Sequence, residues 1–258
     1  MVFFAQKYFD KMGKIWHRVC SMEGNELINK VSMKKFNIAV FGWLTVVMIA
    51  ALVFPIVSKP EAWYDFPFIP ALGEQSRILF FHVPTAWVTV VAFFLSMVYG
   101  IKYLRSNNME DDIKSVSSAG VGVLFCILAT ITGSVWAKFS WGSFWNWDPR
   151  ETSIAVLLLI YGAYFGLRSS LEGDEKRARL SAVYAILAGI TTPFLIFVLP
   201  RLVSSLHPEP IVNAGGKVHM NVTMLTVFLA SLLGFTGLFA WMFDLKVRLA
   251  RLEKNHHP

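Results

Sequence analysis

Between Trp141 and Thr152 the chain runs Trp141-Gly142-Ser143-Phe144-Trp145-Asn146-Trp147-Asp148-Pro149-Arg150-Glu151-Thr152, which places four aromatic rings in seven residues. A tryptophan pairs an apolar body with one N–H and suits a half-wet boundary. One or two rings fill that role; this group suggests a flat platform for a ring-shaped ligand. Two histidines flank it in the sequence. His82 ends the run Arg77-Ile78-Leu79-Phe80-Phe81-His82 and precedes Val83-Pro84, and His207 sits in Ser204-Ser205-Leu206-His207-Pro208-Glu209-Pro210. Neutral imidazole is a common metal ligand. If His82, the tryptophan loop and His207 converge, two imidazoles would flank an aromatic shelf, which is the geometry of a bis-histidine haem site.

Each of these residues also has a plainer reading. His82 could be a helix-start residue hydrogen-bonded to backbone, with Pro84 in the first turn where a missing N–H costs nothing. His207 is equally open to a boundary role, and His219 competes with it as a ligand; His17, His256 and His257 lie near the termini. Asp148-Pro149-Arg150-Glu151 has the pattern of a capping box, with an acid at the N-cap, proline at the first helical position and an acid at the third. A helix amino end of this kind presents free N–H groups to anions, haem propionates among them, and Arg150 would add a bidentate partner. As a lone feature Arg150 reads equally well as an interfacial cation. The spacing of Trp141, Trp145 and Asp148 predicts a short helical turn that lines the rings along one face.

The elements that must position these residues follow from composition. Of 258 residues, 55% are hydrophobic, far above an ordinary soluble domain. Six apolar stretches, at residues 37–57, 78–101, 118–137, 151–168, 181–199 and 222–243, are long enough for a hydrocarbon core of about 30 Å. The chain therefore reads as an all-α integral membrane six-helix bundle, with the tryptophan-rich loop between the third and fourth spans. Of its 24 Lys and Arg, 18 fall on one side, and the positive-inside rule puts that side and both termini in the cytoplasm. Residues 1–36 form a basic leader, read as an interfacial helix and not a cleaved signal; 37–243 form the six-span domain; 244–258 form a basic tail.

The net charge of +7 is explained by orientation and by anionic membrane lipid, with no call for nucleic acid. Cys20 and Cys126 stand alone, which argues against thiol or disulfide chemistry. No phosphate loop, metal-cluster spacing or activated nucleophile suggests an ATPase, a metalloenzyme or a hydrolase. Gly120, Gly122, Gly133, Gly162, Gly166 and Gly189 read as helix-packing contacts. Pro193 is expected to kink the fifth span, with Thr191 and Thr192 satisfying freed carbonyls.

The run Trp141 to Asp148 between His82 and His207 resembles the haem-handling superfamily of cytochrome c maturation, whose members carry a tryptophan-rich (WWD) outer loop and flanking histidines. Arg77 to Trp87 is similar to its RI-x-x-x-HVP-x-A segment, and Thr132-Gly133-Ser134-Val135-Trp136 precedes the loop as in the family. The resemblance covers most of the chain and is nearest to the six-span haem exporter C family. Phe144 departs from it, standing where that family usually has tryptophan. The ending Asp148-Pro149-Arg150-Glu151-Thr152 also resembles the cytochrome c synthase (CcsA) branch, which attaches haem to apocytochrome thiols.

The resemblance implies a bacterial inner-membrane protein that holds haem b non-covalently on the periplasmic side, with His82 and His207 as axial ligands. Trp141, Phe144, Trp145, Trp147, Asp148 and Arg150 would surround the ring. It implies haem delivery rather than catalysis. The implied partners are a periplasmic haem chaperone, ABC transporter subunits and a small single-span membrane subunit. A synthase would be expected to carry further histidines inside its spans, and none is found beyond His82 at a mouth.

Overall fold

The computed structural model describes residues 33–70, 72–207 and 220–256. Residues 1–32 of the proposed leader, with His17 and Cys20, and also His219 and His257 lie outside these residues. Two compact units divide at Trp43 and Leu44. In the first, the described part is helical from Met33. The second unit carries every element discussed below except the first half of α1.

Among the described residues six helices are long and apolar enough to cross a membrane: Met33–Val53, Gly73–Ser106, Met109–Trp141, Pro149–Ser170, Asp174–Leu202 and Val222–Lys254. The first is α1. The second begins as a 3-10 turn, Gly73–Phe80, and continues as α2, His82–Ser106. Helices α3 (Met109–Trp141) and α4 (Pro149–Ser170) follow. The fifth span is composite: α5 (Asp174–Pro193), a π turn over Phe194–Val198 and the short α6 (Leu199–Leu202). Helix α7, Val222–His256, absorbs most of the basic tail as a helical continuation.

The apolar stretches agree with these helices in number and order; the first, 37–57, overruns the end of α1 by four residues, and the second to sixth are shorter than their helices, which continue into charged turns. Helix α3 shows this at its start. Asn108 caps it by accepting from the Glu110 N–H, and Glu110, Asp111 and Asp112 occupy the first turn, where the dipole favours acids.

Small polar residues bring α2 and α3 together. Ser118 Oγ donates to the Ala92 carbonyl at 2.7 Å, Ser115 Oγ to the Ser96 carbonyl at 2.9 Å, and Gly122 faces the Phe93 ring. In lipid, such close approach supplies the packing that water would otherwise drive. Phe93 then stacks on Tyr161 of α4, with centroids 3.5 Å apart. Gly189 meets Met97 in the same way, whereas Gly162 and Gly166 face open space and are not packing contacts.

Pro193 is absorbed by a π turn. Thr191 and Thr192 both donate to the Ala188 carbonyl, one residue before the carbonyl that proline leaves without its usual donor. A minimal parallel pair, β1 (Ile56–Val57) and β2 (Phe66–Pro67), ties down the loop after α1, with Ile56 opposite Phe66.

Candidate functional site

His82 is the first residue of α2, at the end where α3 finishes and α4 begins. Its Nδ1 lies 3.1 Å from Thr132 Oγ1 of α3. Thr132 spends its own hydroxyl proton on the Leu128 carbonyl at 2.8 Å. The threonine oxygen must therefore accept, the His82 proton sits on Nδ1, and Nε2 carries a bare lone pair. Gly133 makes room for the ring: a Cβ there would stand 2.9 Å from His82 Cε1. His82 is thus a helix-start residue, and its side chain is bonded to α3, through the Thr132 hydroxyl and the Ala129 backbone.

His207 reaches the same end of α3 from the segment after α6. Its ring centroid lies 4.9 Å from that of Trp141 and 5.8 Å from that of Trp136, and these two indoles meet edge to face at 4.9 Å. His207 Nδ1 is 3.0 Å from Asp148 Oδ1. A carboxylate can only accept, so the imidazole again keeps its proton on Nδ1 and bares Nε2. The two histidines are within electrostatic range of one another, and the charge of Arg150 acts on both.

Asp148 caps α4 as its sequence indicates, with the full capping box formed by Glu151. It also does more. Beyond the Arg150 N–H at 2.9 Å and His207 Nδ1, it accepts from Ser205 Oγ at 2.9 Å and from the Leu206 N–H at 2.7 Å. One carboxylate therefore starts α4 and fastens the segment that carries His207. Burial alone would raise its pKa. The Arg150 and Leu206 N–H groups, the Ser205 hydroxyl and His207 outweigh that and hold it below the ordinary carboxylate value. Burial lowers the His207 pKa, Arg150 lowers it further, and Asp148 opposes both. The imidazole is consequently neutral at physiological pH, as ligation requires.

The tryptophan loop is not the short helical turn its spacing predicts. Trp141 is the last residue of α3, and Gly142, with φ of 84°, ends the helix in the left-handed conformation. Residues 142–148 are irregular, and Trp147 itself has φ of 57°. Trp145 and Trp147 meet edge to face at 5.9 Å. Phe144 and Trp147 are 56% and 75% exposed, which leaves them open to a partner or a membrane surface, whereas Trp141 faces inward to His207.

Sequence reasoning noted Thr132 and Trp136 only as part of a family segment and gave neither a role in the site, while Gly133, expected as a packing contact, packs against His82. Thr132 and Trp136 share a face of α3 at i and i+4, with Gly133 beside them. Trp136 Nε1 is buried without a hydrogen-bond partner, and so is Arg150 Nε. Buried donors of this kind are rare and call for an acceptor. On its other side Trp136 walls a cavity of about 240 Å³ shared with Gln75, Arg77, Phe81 and Phe139. Among the described residues no cluster of three or more His, Cys, Asp or Glu forms an all-protein metal cage. What the site offers is two bare Nε2 atoms, several indoles and two free buried donors.

Residues 26–258 match the protein family described as CcmC, Heme exporter protein C. The chain is 26% identical over 217 residues to a heme exporter protein C of Bradyrhizobium diazoefficiens, covering 83% of this chain and 80% of that one. It is 24% identical to the protein of the same name from Rhodobacter capsulatus, covering 86% and 91%. A putative cytochrome c biosynthesis ccmC-like mitochondrial protein of Arabidopsis thaliana is 29% identical, over 70% of this chain and 68% of its own.

Proposed function

The chain belongs to the heme exporter protein C family, and on that premise we propose that it handles haem for cytochrome c maturation. In this reading it holds haem b non-covalently between His82 and His207, at the periplasmic face of the inner membrane, and passes it to a periplasmic haem chaperone. ABC transporter subunits and a small single-span subunit are its proposed membrane partners. The observation that carries the reading is the matched pair of imidazoles. Each commits Nδ1 to a hydrogen bond, and each leaves Nε2 free beside the same stretch of α3.

The residues present fit such a group. Haem, when bound, would supply an iron that takes imidazole nitrogen and two propionates that take hydrogen-bond donors. Thr132 and Asp148 orient the imidazoles, as hydrogen-bond partners of metal-bound histidines generally do. Trp136 and Trp141 form the apolar wall. Arg150 Nε and Trp136 Nε1, buried and unpartnered, are suited to propionate oxygens. Exposed Phe144 and Trp147 give a partner protein a surface beside the bound ring.

We read delivery, not covalent attachment, because a synthase would be expected to carry further histidines inside its spans, and the described spans carry His82 alone, at a mouth. The test is the absorption spectrum of the purified full-length protein beside a His82→Ala, His207→Ala double variant. A low-spin bis-histidine spectrum that vanishes in the variant supports the reading, with His219→Ala expected to behave as wild type. A haem-free wild type from haem-replete cells, or equal loss in His219→Ala, would overturn it.

A further inference from the structure

Resting on the reading that His82 and His207 ligate haem iron, we infer that Asp148 is a positioning residue that makes the two ligands unequal, His207 the firm one and His82 the exchangeable one. The histidines differ in what their Nδ1 protons face. For His207 it is a carboxylate at 3.0 Å, on a side chain with no solvent exposure. That carboxylate cannot turn away, because the Arg150 and Leu206 N–H groups and the Ser205 hydroxyl hold it from three further directions. A buried anion on Nδ1–H draws the proton toward itself and enriches Nε2, which strengthens the bond to a metal.

His82 faces neutral partners only: the Thr132 hydroxyl at 3.1 Å, whose own proton is committed to the Leu128 carbonyl, and the Ala129 backbone. A hydroxyl accepts more weakly than a carboxylate. What holds the His82 ring is shape: it rests against Gly133, where any side chain would intrude. One ligand is therefore strengthened by charge and the other held by neutral partners and fit. A partner that brings its own ligand would displace His82 first, while His207 keeps the ring on this chain until the exchange is complete.

The experiment uses the full-length protein purified with haem, as wild type and as His82→Gly, His207→Gly, Asp148→Asn and Thr132→Val. The His82→Gly form should retain more haem than His207→Gly. Its ferrous iron–imidazole stretch should lie at higher frequency, and adding Asp148→Asn should abolish that difference. Asp148→Asn alone should weaken haem binding about 10- to 100-fold, the usual scale for such partners, and Thr132→Val by less. Carbon monoxide added to the reduced wild type should leave His207 as the opposite ligand.

Equal haem loss and equal stretches in the two glycine variants would overturn the inequality, as would carbon monoxide replacing His207. If Asp148→Asn does not fold, the two glycine variants and the carbon monoxide adduct decide alone. A wild type without a low-spin spectrum removes the ligand reading itself; a low-spin wild type with equivalent histidines removes only this inference.

Discussion

Helix α4 carries an arginine near each end, and the two are settled in opposite ways. At its carboxyl end Arg168 grips Asp112 of α3 through two parallel bonds of 2.8 and 2.6 Å, with both side chains largely withdrawn from solvent. At its amino end Arg150 has a buried Nε with no partner among the described residues. The first arrangement is closed and structural: a desolvated charge is tolerable because a bidentate counter-charge meets it. The second is open, and an open buried donor is what a site that receives an anion should show. The contrast separates scaffold from site within a single helix.

The largest effect expected from testing that contrast is at the closed end. Asp112→Leu strands the Arg168 charge and should cost about 3–5 kcal/mol, read as a lower unfolding temperature in detergent. Adding Arg168→Met should recover most of that loss. At the open end Arg150→Leu should leave the haem-free protein as stable as wild type or slightly more so, since it removes a buried group that lacked a partner. Its cost should appear only with ligand, where loss of a charge-assisted bond of about 1.5–3 kcal/mol weakens haem retention about ten- to a hundredfold. If Arg150→Leu destabilises the haem-free protein as much as Asp112→Leu does, the distinction between the two ends fails.

A subtler effect concerns pH. Burial, then Arg150, hold the folded His207 pKa below its ordinary value of about 6.5. As pH falls through that value the unfolded chain takes up the proton first. The stability contributed by neutral His207 is thus complete above it and is lost as pH falls toward the folded pKa. Haem retention should survive acidification through the ordinary histidine range and fail below it. In Arg150→Leu the failure should move to higher pH, and a titration of bound haem would show whether it does. The smallest expected effect is at Trp147. Because this ring is mostly exposed, Trp147→Ala should change stability by no more than about 0.5 kcal/mol, while transfer to a haem-accepting partner falls.

The spans were readable in the sequence because hydropathy is a property of whole segments, and their order needed no tertiary information. Convergence of His82, the tryptophan loop and His207 was also readable, since alternating spans bring those segments to one end. The contact partners were less accessible. Thr132, Gly133 and Trp136 belong to a helix that is apolar on several faces, so periodicity could not say which face a distant histidine would meet. The helical turn expected for the tryptophan loop was lost because Gly142 stops α3 directly after Trp141, a local backbone preference that outweighed the spacing of the rings. Asp148 was read correctly as a cap, but its hold on Ser205, Leu206 and His207 depends on a chain return that no local pattern encodes.

That shared carboxylate has a consequence for how the protein is made. Ser205, Leu206 and His207 lean on the residue that begins α4, while His82 leans on α3. Neither imidazole can take its place until the intervening spans have been threaded into the bilayer and docked. A nascent chain stalled part-way through insertion would expose one histidine at most, so under the proposed ligand pair the capacity to bind haem would arise late in biogenesis and report that the bundle has closed.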